Sequence, residues 1–308
     1  MKKIIAICLF AVSISASAWQ PTESVQLVVP FPPGGSTDVI GRIVAEGLRA
    51  QGVSNIVVVN RPGAGGVIGT NTVIEAKPDG HTILLTGTSF LFNRLQNTPG
   101  ANYDLTKSLA HVGLIGTVPN HLYVREGLGK LSLKTIIENT QRGQQNSWGV
   151  TNPGAEFTAQ MIEAQLGIKL NVIPYKGSAP AITDLAGGHI DFVIDSGSSG
   201  TATAAVDTKK IKLLAVFESK KDSADTVDAV IPGVITRSWF GLSLPRGADT
   251  QVVNYYNKVL NQALNDPTVK DKLNKMSVNV KGGAPQTFVS MIESDFQKYS
   301  KINSASKK

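Results

Sequence analysis

The chain has 308 residues, of which 42% are hydrophobic and 17% charged, with 30 glycines and 15 prolines. That length exceeds most single cores and fits two domains, and the balance excludes a disordered chain. The formal charge of +7 is spread along the sequence with no basic block, so nucleic-acid binding has no support.

Residues 1–18 stand apart. Lys2 and Lys3 precede an apolar run from Ile4 to Ile14, and Ala16-Ser17-Ala18 supplies small residues for a cleavage site. The pattern predicts a secretory leader cut after Ala18, too short to span a bilayer; a buried N-terminal helix is the alternative. The single cysteine, Cys8, lies inside this segment and too early for a lipoprotein anchor, so the mature chain has no thiol, disulfide or cysteine ligand. Losing Lys2 and Lys3 leaves 28 basic against 23 acidic residues, a charge of +5. A cysteine-free exported chain suits the bacterial periplasm. The mild positive field is compatible with an anionic small ligand.

From Val25 the chain alternates between two periods. Val25 to Val29 predicts a buried strand, and Val39, Ile40, Ile43, Val44 and Leu48 recur at helical spacing. Ile56 to Val59 predicts a second strand, Val67 to Ala76 a helix, "KPDG" a turn and His81 to Thr86 a third strand. This order implies an α/β unit with parallel strands. The middle repeats the logic, with helices at Leu131 to Gln141, Ala155 to Leu166 and Ala179 to Ala186 among the strands "NSWGV", "KLNVIPY", "IDFVI" and "IKLLAVF". After the strand "SWFGLSLP", helical spacing returns at Val252, Val253, Tyr256, Val259 and Ala263, then at Phe288, Ile292, Phe296 and Tyr299. The expected division is 19–123 plus 238–308 for a discontinuous first domain and 124–237 for a second, so the chain crosses between domains twice.

Two glycine-rich turns end successive strands: "PFPPGGSTD", which contains Gly35, and "RPGAGG". In open parallel sheets, ligands bind beyond the carboxyl ends of the strands. Glycine lets backbone N–H groups approach a ligand, and the helix start behind each turn adds partial positive charge. Ser36 or Thr37 is placed to cap the first helix. The pattern suits an anion held by backbone; the plain alternative is a pair of tight turns.

Nucleotide and catalytic readings fail in detail. "GAGGVIG" carries Ile68 where a dinucleotide fingerprint needs its third glycine, and no P-loop or G-x-S-x-G elbow is present. His81, His111, His121 and His189 show no metal spacing. A triad of Ser36, Asp38 and a distant histidine is conceivable, but Asp38 more simply favours its own helix start.

Five segments, in order, resemble the Bug family, the periplasmic solute-binding receptors of tripartite tricarboxylate transporters. They are "WQPTESVQLVVPFPPGGSTD", "NRPGAGGVIGT", "KPDGHTILLTGTS", "VIPYKGSAPAITDLAGGHIDFVIDS" and "SWFGLSLPRGA", from Trp19 to about Ala248. The resemblance implies a type II periplasmic-binding-protein fold, with two α/β domains and a ligand cleft between them. It implies a monomer without metal, cofactor or catalysis, which passes a small organic carboxylate (a dicarboxylate, acidic amino acid, aromatic or hydroxy acid) to membrane permease subunits. Carried onto this chain, it places Phe31, Ser36 and Thr37 at the ligand with Asp38 close behind. Ala64 and Gly65 come from the second turn, and Thr88 and Ser89 from the end of the third strand. From the second domain it implies Thr151, Asn152, Ala155, Glu156 and Phe157, then Lys176, Gly177 and Ser178, then Asp195. Plainer roles exist for Phe31 (core), Asp195 (a cap) and Lys176 (a solvated charge).

The stretch after "WGVTNPG" departs from the family, which usually has small hydroxyl residues where Ala155, Glu156 and Phe157 stand. Glu156 either favours its helix start or meets a cationic or hydroxyl-bearing part of the ligand; a dianion beside a buried Glu would be repelled. Two other functions stay open from sequence. One is the same receptor fold serving a signalling partner, and the other is an exported α/β hydrolase using Ser36.

Overall fold

The computed structural model describes residues 19–128, 130–197, 200–219 and 226–305. Cys8 and the expected cleavage site after Ala18 lie outside the described residues.

The first five elements follow the sequence periodicity: β1 (Val25–Val29), α1 (Ser36–Ala50), β2 (Ile56–Asn60), α2 (Val67–Ile74) and β3 (Thr82–Gly87). β1 pairs in parallel with β2 and with β3. Ile40, Ile43, Val44 and Leu48 form the buried stripe of α1, the face their spacing selects. Next come α3 (Thr88–Leu95) and β4 (Leu109–Arg125), neither of which periodicity predicts. The second lobe runs α4 (Leu133–Gln141), β5 (Ser147–Val150), α5 (Pro153–Leu166), β6 (Asn171–Pro174), α6 (Ser178–Ala186), β7 (Phe192–Ser196), α7 (Gly200–Asp207) and β8 (Ile211–Val216). The chain ends with β9 (Arg237–Pro245), α8 (Thr250–Asn265), α9 (Pro267–Lys275), β10 (Asn279–Val280) and α10 (Pro285–Ala305).

The sheet order is β2-β1-β3-β9-β4-β7-β5-β6, with β8 and β10 also on β4. β4 is 17 residues long and serves both lobes. Along one stretch it pairs with β9 and β10, and its last residues pair with β7 and β8. β9 runs antiparallel beside β4 and also closes on β3. Two adjacent strands therefore link the α/β lobes.

One core lies between the first-lobe strands and α1, α8 and α9, around Leu27, Ile40, Leu48, Tyr256 and Leu273. A second runs from α3 into the second lobe and includes Phe92, Trp148, Phe157, Trp239 and Tyr299. Tyr299 of α10 meets both Phe92 of α3 and Phe157 of α5, with ring centroids 5.0 and 5.5 Å away. Burying each such side chain stabilises the fold by about 1.5–3 kcal/mol. The described chain starts at Trp19, which packs on Tyr255 and Tyr256, while His81 Nε2 accepts from the backbone N–H groups of Thr22 and Glu23.

Candidate functional site

The carboxyl ends of β1, β2 and β3 and the N-termini of four helices converge where the lobes meet. Two contiguous cavities occupy this place. The inner one, about 30 Å3, is lined by Phe31, Gly35, Ser36, Thr37, Thr88, Ser89, Thr151, Asn152, Gly177 and Ser178, among others. A buried water needs about 10–15 Å3 by this measure, so the inner cavity takes about two water-sized groups. The outer one, about 540 Å3, adds Ala64, Gly65, Glu156 and Lys176 and shares Phe31, Thr151, Asn152 and Gly177 with the first.

The first turn is braced from behind. Asp38 Oδ2 accepts from the Gly34 N–H and Arg42 Nε, both at 2.9 Å, and Oδ1 accepts from Arg42 Nη2 at 3.0 Å and Asn60 Nδ2 at 2.9 Å. Asn60 Nδ2 also donates to the Phe31 carbonyl at 2.9 Å. Desolvation opposes ionisation of Asp38, but the bonds from Arg42, Gly34 and Asn60 outweigh it and hold the carboxyl below its ordinary value. The second turn passes through Ala64, Gly65 and Gly66, all at positive φ. Asn93 Nδ2 donates to the Gly65 carbonyl at 2.9 Å. At the third strand end, Thr88 Oγ1 accepts from the Trp239 N–H at 2.6 Å, which ties this loop to β9.

Four of the helix starts at the cleft lack a side-chain cap. The starts of α1, α2, α3 and α6 are led by Gly35, Gly66, Gly87 and Gly177 and carry no side-chain cap. All four glycines line the inner cavity. By contrast α4, α8 and α9, whose caps line neither cavity, are capped by Ser132, Asp249 and Asp266, and at the cavity α5 is capped by Asn152. The first N–H groups of a helix have no partner within it, and a capping side chain normally takes one of them. At these four helices the uncapped ends face the cavity, where their dipoles favour negative charge. No lysine, arginine or histidine lines the inner cavity among the described residues.

The second-lobe wall is organised by Asp195. Its Oδ1 accepts from Thr151 Oγ1, Ser178 Oγ and the Ser196 N–H, each at 2.8 Å, while Oδ2 has no partner among the described residues. Desolvation raises the Asp195 pKa against the lowering effect of those three bonds. Because Ser178 gives its proton to Asp195, it accepts in its 3.4 Å contact with Ser36 Oγ. Behind this wall, Asn120 of β4 donates to Thr158 and Thr236 at 3.0 Å and accepts from Ser196 and Ser238, joining β4, α5, β7 and β9 in one buried network.

The expected residues therefore separate into two groups. Those named above as lining the cavities come together across the two lobes. Four others line neither cavity. Asp38 is the brace of the first turn, and Asp195 stands behind Thr151 and Ser178. Ala155 is fully buried, and Phe157 packs its ring 4.9 Å from that of Phe92. Helix α5 presents only Glu156 of the Ala155-Glu156-Phe157 stretch to the outer cavity. Glu156 is half-buried without a side-chain partner among the described residues, and desolvation raises its pKa. The lining residues that sequence reasoning missed include Gly87, Asn93, Gln96 and Ser238.

The triad of Ser36, Asp38 and a histidine is not assembled. Asp38 is committed to Arg42 and Asn60, and none of the four histidines lines either cavity. His111 is buried between Ser243 Oγ at 2.9 Å and the Leu105 carbonyl at 2.7 Å.

Residues 40–306 match the family TctC, described as the tripartite tricarboxylate transporter family receptor. The chain belongs to this family. It is a family of periplasmic solute-binding receptors, not of enzymes. The protein BugT of Bordetella pertussis is 31% identical over 268 residues, covering 84% of this chain and 81% of BugT. The structure of the periplasmic binding protein BugD superposes with a TM-score of 0.83 at 29% identity, covering 93% of this chain and 98% of BugD. That of R. palustris Rpa4515 with adipate has a TM-score of 0.85 at 29% identity, with the same coverages. The TctC receptor described here has the type II periplasmic-binding-protein fold, two α/β domains with a ligand cleft between them.

Proposed function

We propose that this receptor captures a small organic carboxylate in the interdomain cleft, with one carboxylate group in the inner cavity, and passes it unaltered to the permease subunits of a tripartite transporter. The observation that carries this reading is the set of four uncapped, glycine-led helix starts around a cavity of about 30 Å3. Backbone N–H groups with no competing cap offer a carboxylate charge-assisted hydrogen bonds, and they do so without a cationic side chain. Adipate in the Rpa4515 structure gives a chemical precedent.

In this reading the chain is exported with cleavage after Ala18 and works as a monomer. The hinge lies where β4 and β9 pass between domains 19–123 plus 238–308 and 124–237. Closure brings Ser36 onto Ser178 and encloses the ligand between the domains.

The test is a thermal-shift screen of the mature protein, unfolded and refolded to remove co-purified solute. The panel holds mono- and dicarboxylates beside their uncharged amides. A ligand at 100 to 1,000 times its Kd stabilises by roughly 2.7–4.1 kcal/mol. Shifts by carboxylates but not by their amides are expected; shifts by sugars or amides alone overturn the reading.

A further inference from the structure

The two compartments of the cleft differ in charge and in hydrogen-bonding sense. The inner one is surrounded by backbone donors at glycine-led helix starts. The outer one contains the Glu156 carboxylate, which makes no hydrogen bond or ion pair among the described residues. A carboxylate in that position loses water on one side and gains nothing in return, and this is the reason burial raises its pKa. The start of α5 does not satisfy it, because the Asn152 side chain already takes the N–H groups of Gly154 and Ala155.

The wall between the compartments has the same sense. Thr151, shared by both cavities, donates its hydroxyl proton to Asp195 and accepts from Asn152 Nδ2, so it offers the cleft no proton. Asn93 Oδ1, fully buried on a residue shared by both cavities, has no donor among the described residues. Against these acceptors stand Gln96 Nε2, a buried donor without a partner, and Lys176, which is exposed at the rim. The partly dehydrated charge of the outer compartment is thus negative, and Glu156 has no counter-charge paired with it among the described residues.

We propose that the ligand supplies it: the solute is a small acid with a distal ammonium group, its carboxylate in the inner cavity and its ammonium on Glu156 in the outer one. The inference rests on the carboxylate reading above and narrows it from acids in general to zwitterions whose charges sit at opposite ends. A diacid of equal length puts a second carboxylate beside Glu156, where like charges repel and one of them must take up a proton. An ammonium donates to Glu156 and relieves its unpaired charge. The outer volume of about 540 Å3 leaves room for a chain of several carbons, so chain length is a variable of the test.

The experiment is calorimetric titration of the refolded, ligand-free mature protein at pH 7.5 with three matched series: 4-aminobutanoate to 6-aminohexanoate, succinate to adipate, and butanoate to hexanoate. The same series is run on Glu156→Gln. The expected result is that one amino acid binds about tenfold or more tighter than its matched diacid, and that Glu156→Gln abolishes or inverts that preference. A Glu156 that only stabilises its helix start changes the melting temperature in the variant and leaves the preference unaltered. Diacids that bind as well as the amino acids, or a preference that survives in Glu156→Gln, overturn the inference and leave the carboxylate reading standing. No binding by any of the three series overturns the inference, while the carboxylate reading is decided by the thermal-shift panel.

Discussion

Ser36 and Ser178 lie 142 residues apart in the chain, and their hydroxyl oxygens stand 3.4 Å apart across the cleft. Each opens a helix led by an uncapped glycine, and they belong to opposite domains. Ser178 is fixed as the acceptor by its bond to Asp195, so Ser36 points its proton toward the other domain. At 3.4 Å this is a weak bond, which suits a latch that opens. Ser178→Ala removes it and leaves the Asp195 network one donor short. A loss of roughly 1–2 kcal/mol in closure is expected, a 5- to 30-fold rise in Kd for the bound acid, measured by calorimetry.

Gly65 sets how closely the domains approach. Its φ is +62°, and a Cβ added there lies 2.8 Å from Pro153 Cγ and 3.1 Å from Asn93 Oδ1. Gly65→Ala adopts a left-handed conformation at a cost of about 1–2 kcal/mol and presses its methyl group on a ring of the opposite domain. The variant is expected to stay folded but to close incompletely. Small-angle scattering is then expected to show less compaction on ligand addition than the wild type, with at least about tenfold weaker binding.

Asp195 makes stability fall with rising pH. Burial raises its folded pKa above the ordinary carboxylate value, so the folded state holds the proton more tightly than the unfolded chain. Its contribution is complete below about pH 4 and is lost as pH rises through the raised folded value. Asp195→Asn keeps an acceptor oxygen for Thr151, Ser178 and the Ser196 N–H and removes the titration. Denaturant melts of this variant are expected to lack that part of the pH slope. Asp195→Ala leaves three donors without a partner and is expected to cost about 3 kcal/mol at acid pH, where the Asp195 contribution is complete.

His121 acts in the opposite direction. Desolvation lowers its pKa to about 4, against the raising effect of Glu218. The unfolded chain binds this proton near pH 6.5, so the stability is present above pH 6.5 and lost as pH falls toward 4. The full effect is on the order of 3 kcal/mol. His121→Gln is expected to flatten the acid limb of the stability curve between those values, again in denaturant melts.

The alternating strands and helices around the first glycine turn were legible because each had one exposed face and a chemical stop. Ile40 to Leu48 shows a helical stripe, and the Pro-Gly and Asp-Gly turns punctuate the strands. β4 was hidden for the opposite reason. It contains Gly113, Gly116 and Pro119 and slips register twice against β9, so no two-residue alternation survives. α3 was hidden because most of its residues are buried, which leaves no polar face to mark a period.

The site was legible in the same uneven way. The glycine turns pointed to the cleft, since glycine lets the backbone approach closely, and residues of both turns line the cavities. Asp195 and Phe157 came in as direct contacts, whereas the fold sets one behind the hydroxyls it orients and the other in the core. Asn93 and Asn120 gave no signal, because their partners lie 28 to 118 residues away in the chain.

The central claim is that a carboxylate sits on the backbone N–H groups of glycine-led helix starts. Its most direct test is an amide-resolved NMR titration of the refolded mature protein with whichever acid gives the largest thermal shift. The account predicts the largest displacements at the amides of Gly35, Ser36, Thr37, Thr88, Ser89, Gly177 and Ser178, with downfield shifts of the N–H protons as charge-assisted bonds form. Displacements confined to other surfaces, with these amides unmoved while the acid binds, would contradict it.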